Sequence, residues 1–151
     1  MRTQKGITLI ETVIVFSIIA IVAAIAIPQF RKMAINGNLK AAARDIMGDF
    51  SYMRQRAISE NTSLSIFFDT THNRYTVPYP GGTVKTPAYF SNDINITGVN
   101  FATGGTTLKF DTRGTISPTG TNILTLTNGR GSTATITVLT AGRIYVQYAL
   151  H

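Results

Sequence analysis

One carboxylate stands alone in the most apolar stretch of the chain. Residues 7–27 are Ile, Val, Ala, Leu and Phe with a few hydroxyls, and Glu11 is their only charge. A charge of this kind in a membrane helix costs about 2.5–3.5 kcal/mol at the bilayer centre, and less near the interface. An acid retained against that penalty is a functional candidate, and unpaired buried charge calls for a cation to face it. The other residue types that do chemistry are scattered. There is no cysteine, which excludes thiol catalysis, disulfides and Cys-ligated zinc. His72 and His151 are the only histidines, and both read as solvated surface, so no metal and no cofactor is expected. Asp45 and Asp49 share one helix face and read as exposed carboxylates beside Arg44. Asp69 reads as a turn former, and the Gly-rich pieces lack the strand–loop–helix context of a phosphate loop. No catalytic constellation is visible, so the chain reads as something other than an enzyme.

The elements that must carry Glu11 follow from length and pattern. About 20 apolar residues as a helix match the roughly 30 Å hydrocarbon core of a bilayer. The run is longer than the core of a cleaved secretory signal. Arg2 and Lys5 precede it, and the positive-inside rule puts that end in the cytoplasm. The expectation is a single pass through a membrane, with lipid around residues 7–27 and the C-terminal domain in the periplasm or outside. Pro28 follows the run and predicts a kink, because proline removes a helix hydrogen bond. Arg31-Lys32 mark the return to water.

From Ala34 the pattern is amphipathic. Ile35, Leu39, Ala42, Ile46, Phe50, Met53 and Ala57 recur at spacings of three or four, which is one apolar helix face. Asn36-Gly37-Asn38 is expected to interrupt this helix, since Gly costs about 1 kcal/mol relative to Ala there. The segment Pro28–Gly37 is thus the weakest part, and the helix should end near Ser59-Glu60-Asn61. Period two then takes over. Leu64–Phe68 and Arg74–Val77 read as a hairpin closed by Asp69–Asn73. Residues 78–106, with Pro78, Pro80, Pro87 and two Gly-Gly pairs, read as a long loop with short strands, one of them at 94–101. Thr107–Asp111, Ile123–Thr127, Ala134–Leu139 and Arg143–Ala149 read as strands separated by turns at 111–114, 128–131 and 141–142. The fold class is α+β: a long N-terminal helix, membrane half plus amphipathic half, packed on an antiparallel β-sheet domain. The divisions are 1–6, 7–27, 28–60 and 61–151.

Lys5-Gly6-Ile7-Thr8-Leu9-Ile10-Glu11 resembles the class III leader of the type IV pilin and pseudopilin superfamily. The resemblance combines leader charge, Gly, a spaced acid and a long apolar run. It implies that 1–6 is a prepilin leader, that a prepilin peptidase cuts between Gly6 and Ile7, and that the new Ile7 amine is N-methylated. It implies that Glu11, the fifth mature residue, pairs with the amine of a neighbouring subunit during assembly. Family members usually have Phe where this chain has Ile7. Phe110-Asp111, Arg113-Gly114, the strands at Ile123–Leu126 and Ile136–Leu139, and Gly142-Arg143-Ile144 are similar to the GspH/FimT type of minor pseudopilin and pilin. That subgroup implies two small sheets and a subunit at or near the tip of a type II secretion pseudopilus or type IV pilus, supporting filament initiation and protein secretion. Its implied partners are other pilins or pseudopilins in a filament, the prepilin peptidase and an inner-membrane assembly platform, and the membrane it implies is a bacterial inner membrane. A major pilin of the shaft is a further alternative.

DNA capture for natural transformation is the other reading that the FimT resemblance brings. A Gly-Arg-x-Arg element carries it in that group, and here the match is Gly142-Arg143-Ile144-Tyr145, with Tyr145 replacing the second arginine. An arginine and a tyrosine can grip phosphate and stack a base. Lys109, Arg113 and Arg130 would join if the strand ends converge. Beyond residue 30 there are twelve Lys/Arg against six Asp/Glu, spread rather than bunched. That distribution fits simple solubility as well as an anionic partner.

Overall fold

The computed structural model describes residues 8–78, 81–102 and 104–151. The leader 1–6 and the Gly6–Ile7 junction, with its cleavage and methylation, lie outside the described residues, as does Pro80. The chain divides into two compact units, Met1–Ala34 and Ile35–His151. Helix α1, Leu9–Ser59, supplies residues to both.

Within the first unit the helix meets what a bilayer demands, because lipid offers no hydrogen bonds and the backbone must satisfy itself. An 18-residue window of α1 reaches a mean hydropathy of 2.7, long and apolar enough to cross a membrane, and none of that window is buried by protein. Pro28 lies inside α1. Its missing N–H leaves the carbonyl of Ala24 without the usual helical donor.

In the second unit α1 buries Leu39, Ala42, Ala43, Ile46, Phe50, Met53 and Ala57, the expected stripe with Ala43 added and Ile35 only half-buried. Eight strands follow: β1 Leu64–Asp69, β2 Arg74–Val77, β3 Thr83–Lys85, β4 Asn95–Asn100, β5 Thr107–Phe110, β6 Asn122–Thr127, β7 Thr133–Val138 and β8 Ile144–Ala149. They form two antiparallel four-stranded sheets, ordered β3-β2-β1-β5 and β4-β6-β7-β8. Alternation sets their inner faces: Leu64, Ile66 and Phe68 on β1, and Leu124 and Leu126 on β6, are buried. Phe68 is the hub of the core. Its ring stacks on Tyr75 at 5.4 Å and meets Phe50 and Phe101 edge-on at 6.0 and 5.5 Å. One side chain thereby joins α1, β1, β2 and the end of β4.

Two expectations need correction. Asn36-Gly37-Asn38 does not interrupt α1. Asn36 donates to the His151 carbonyl and accepts from the Asn128 amide at 3.1 Å, while Leu39 just beyond is fully buried. Tertiary bonds and burial override the weak propensity of Gly37. The stretch 78–106 carries elements that the reading of it as mostly loop did not locate. Thr83–Lys85 forms β3 against β2, and Pro87–Tyr89 forms a 3-10 turn in which the Thr86 hydroxyl accepts from the Ala88 N–H at 3.2 Å.

The β1–β2 turn also does more than reverse the chain. Asn73, at φ 50°, donates from its amide to the Ile94 carbonyl at 2.7 Å and accepts from the Ile96 N–H at 2.9 Å. A turn of one sheet thus caps the first strand of the other.

Candidate functional site

The Glu11 neighbourhood is built from local helix chemistry. The Thr8 hydroxyl accepts from the Glu11 N–H at 3.3 Å, the pattern that satisfies an orphan donor at a helix start. The Thr12 and Ser17 hydroxyls donate to carbonyls one turn back, Thr8 and Val13, at 3.3 and 2.8 Å. Those hydroxyls are thus neutralised within the helix. The Glu11 carboxylate differs: among the described residues it has no hydrogen-bond or ion-pair partner. It borders a shallow hollow of about 260 Å³ with Thr12, Val15 and Phe16. A carboxylate beside an open apolar notch on a lipid-length helix can accept a hydrogen bond, take up a proton or receive a cation.

The residues considered for nucleic acid are sorted by the strand ends. Lys109 points outward from β5, between buried Leu108 and Phe110. Arg113 lies in the turn after β5, where Asp111 accepts from the N–H groups of Arg113 and Thr115 at 2.9 and 3.0 Å and from the Thr115 hydroxyl at 2.7 Å. The Thr115 hydroxyl, against a smaller opposing effect of desolvation, holds the Asp111 carboxyl below the ordinary range, with backbone donors adding to it. Arg143 is exposed just before β8, and Tyr145, two residues on, is exposed on that edge strand. Arg113 and Arg143 come to one corner. A Cβ added to Gly142, at φ +76°, would sit 2.2 Å from the Gly114 carbonyl oxygen, so the two turns touch backbone to backbone. Arg130 does not join them. It occupies the β6–β7 turn at the far end of β7, about 17 Å away along the strand.

Sequence reasoning missed two clusters. Arg54 of α1 donates from Nε to the Gly114 carbonyl at 3.0 Å and from Nη2 to the Ala141 carbonyl at 3.5 Å. With the Ile116 N–H bonded to the Thr140 carbonyl at 2.9 Å, it ties α1 and both sheets at the same corner. Gly114 and Gly142 were visible as turn residues, but nothing in the sequence pairs them. The second cluster corrects the reading of Asp45 and Asp49 as simple exposed carboxylates. Asp49 accepts from the Tyr75 hydroxyl at 2.7 Å and from Lys85 Nζ at 2.8 Å, and Asp45 lies 3.3 and 3.4 Å from the same donors. Burial, and then the Asp49 bond and charge, push the Tyr75 hydroxyl far above its ordinary range. Burial opposes the Lys85 charge, yet Asp49 and then Asp45 outweigh it and hold the ammonium above its usual value. The i, i+4 spacing of the two acids was the available signal.

His72 and Asp69 behave as turn residues. The Asp69 carboxylate accepts from the His72 N–H at 3.2 Å, and its Oδ2 lies 2.7 Å from His72 Nδ1 and 3.0 Å from Arg74 Nε. Desolvation opposes it, but the His72 bonds and then Arg74 hold the Asp69 carboxyl below the ordinary range. His151 donates its N–H to Ser132 Oγ at 2.9 Å. Among the described residues no three His, Asp or Glu side chains gather as a metal site would require.

Residues 42–142 match the family described as Type II transport protein GspH. Residues 1–27 match the prokaryotic N-terminal methylation motif. No curated protein matches. Two crystal structures of the type IV minor pilin FimU of Pseudomonas aeruginosa share the fold. One aligns over 74% of this chain and 90% of its own at 18% identity, with a TM-score of 0.55. The other aligns over 72% and 92%, also at 18% identity, with a TM-score of 0.52.

Proposed function

Because this chain belongs to the GspH family of pilins and pseudopilins, whose members are structural subunits, we propose that it is a minor subunit of a type II secretion pseudopilus or a type IV pilus, set at or near the tip. The observation that carries this reading is Glu11: the only charge of an apolar, lipid-length segment, with no partner among the described residues. A prepilin peptidase cuts between Gly6 and Ile7, the Ile7 amine is methylated, and the helix waits in the inner membrane with the β domain in the periplasm. On assembly the Glu11 carboxylate meets the N-terminal amine of a neighbouring subunit, and an assembly platform lifts the pair out of lipid. Pro28, with its unsatisfied turn, makes the segment Pro28–Gly37 the place where the helix kinks and unwinds. The chain acts as no enzyme in this scheme.

Cross-linking of the full chain in its native membranes, with partners identified by mass, tests the proposal. Recovery of minor pseudopilins with a secretion platform assigns the secretion filament, and recovery of pilus minor subunits assigns the pilus. Recovery of neither overturns the reading. The intact mass of the mature chain is expected to match a start at singly methylated Ile7.

The Gly114–Gly142 contact favours DNA capture as a second reading, because it brings Arg113 and Arg143 to one corner with Tyr145 on the adjoining face. Two cations and an aromatic ring suit phosphate contact and base stacking. Retardation of duplex DNA that weakens with salt and is lost in Arg143→Ala supports it; no binding at low salt removes it. Arg130→Ala, at the far end of β7, is expected to leave such binding unchanged.

A further inference from the structure

The two sheets of the second unit have four edges, and three of them are guarded against a further strand. β3 is only three residues long. β5 carries exposed Lys109, and the Ser117 N–H donates to the Lys109 carbonyl at 3.2 Å. β4 is bulged between Ile96 and Gly98, and Asn73 occupies its Ile96 N–H. Short length, charge, bulges and covering segments are the devices that keep sheet edges from pairing. β8 has none of them. It runs six residues, Ile144-Tyr145-Val146-Gln147-Tyr148-Ala149, without charge, proline or bulge, and it pairs only with β7 among the described residues.

The phase of the hydrogen bonds defines what this edge offers. The Leu139 N–H donates to the Arg143 carbonyl at 2.9 Å, so these two residues form a hydrogen-bonded pair of the β7–β8 ladder. Bonded and non-bonded pairs alternate in an antiparallel ladder. In the observed register Tyr145, Gln147 and Ala149 therefore bond to Thr137, Thr135 and Thr133, and the N–H and C=O groups of Ile144, Val146 and Tyr148 point to the open side. The side chains of those three residues are half-buried against the core, while Tyr145, Gln147 and Ala149 are exposed. A strand added here extends the apolar face with every second residue and meets water with the others. One end of the edge is basic. Arg143 is exposed just before β8, and the Gly114–Gly142 contact brings the exposed Arg113 to the same corner. Asp111, two residues before Arg113, is bonded within its own turn. An added strand running antiparallel to β8 carries its C-terminal end to this corner, where acidic side chains would complement the two guanidinium groups.

We propose that the β8 edge binds an extended segment of another protein subunit as an added antiparallel strand, with acidic side chains at that segment's C-terminal end facing Arg143 and Arg113. The inference uses only residues beyond Ile35, so it stands whichever filament the chain serves. The probe is fluorescein-Thr-Val-Thr-Val-Thr-Glu-Glu-amide, titrated by anisotropy with the full chain in detergent micelles. Saturable binding tighter than about 1 mM is expected. Val146→Pro removes an outward N–H and leaves the bonds of Tyr145 and Gln147 to β7, a position where an edge strand accepts proline. It should weaken binding about tenfold. Replacing both glutamates of the peptide by glutamine should weaken binding to wild type about threefold, and Arg143→Ala should erase that difference. No saturable binding, equal binding to wild type and Val146→Pro, or equal binding of the two peptides overturns the proposal. So does a dimer of the free chain that Val146→Pro abolishes, which would give the edge to a second copy. Thermal melts establish that the variants fold. Should Val146→Pro fail to fold, a peptide with Pro-Pro at its centre, short of a donor on both edges, takes its place: it should bind about tenfold more weakly, and equal binding overturns the proposal.

Discussion

The two units of this chain treat polar groups in opposite ways. In the apolar part of α1 the Thr12 and Ser17 hydroxyls are settled by their own helix, and the Glu11 carboxylate has no partner among the described residues. Its Leu, Ile, Val and Phe side chains are exposed along the whole segment. Beyond Ile35 the reverse holds. Asn73, Asn122, Asn128 and Arg54 each reach a different element of the fold, and the large apolar side chains converge on one core. The second unit buries its large apolar side chains within its own sequence, whereas the apolar helix of the first leaves them exposed. Substitutions should therefore separate cleanly: those in the second unit change stability, and those in the first change assembly.

The largest loss of stability is expected at Phe68, whose ring touches α1, β2 and the end of β4. Phe68→Ala should cost about 3–5 kcal/mol by chemical denaturation of the full chain in micelles, with the apolar helix signal retained. Gly142→Ala comes next. Its Cβ would strike the Gly114 carbonyl oxygen in a left-handed backbone, so a cost of about 3 kcal/mol is expected by the same measurement. A neutral result would break the idea that this corner locks α1 to both sheets. Asn73→Ala should cost about 1–3 kcal/mol, because it leaves the Ile96 N–H and the Ile94 carbonyl without partners.

The smallest effect is a pH dependence that only the second unit should show. Tyr75 and Lys85 are both held above their ordinary ranges, by burial and Asp49 in the first case and by Asp49 and Asp45 against burial in the second. Groups raised in the folded state stabilise it fully below their unfolded values, about 10 for tyrosine and 10.4 for lysine. That stability is lost as pH rises through the folded values. Denaturation midpoints should thus fall from about pH 10 upward. Tyr75→Phe should move the onset to higher pH, and an unchanged alkaline profile would contradict the cluster.

What the sequence revealed and what it hid follow the same division. The membrane segment, the Leu39–Ala57 stripe and most strands are local periodicities, and periodicity survives in one dimension. β3 was hidden because its three residues, Thr83–Lys85, are too few to show a period. The Asn73 bonds to β4, the Lys85–Asp49 pair and the Gly114–Gly142 contact join residues far apart in the chain, so no spacing announces them. The interruption expected at Gly37 failed for the same reason, since Asn128 and His151 support that turn from a distance. At the candidate sites, Glu11 stood out as a charge among apolar residues. The convergence of Arg113 with Arg143, and the separation of Arg130, needed the strand ends in three dimensions.

Glu11→Ala tests the central contrast most directly, when one preparation is read in two ways. The account predicts an unchanged denaturation midpoint, normal membrane insertion and leader removal, and loss of the subunit from sheared or purified filaments. Normal incorporation into filaments, or a lowered midpoint of the β domain, would contradict it.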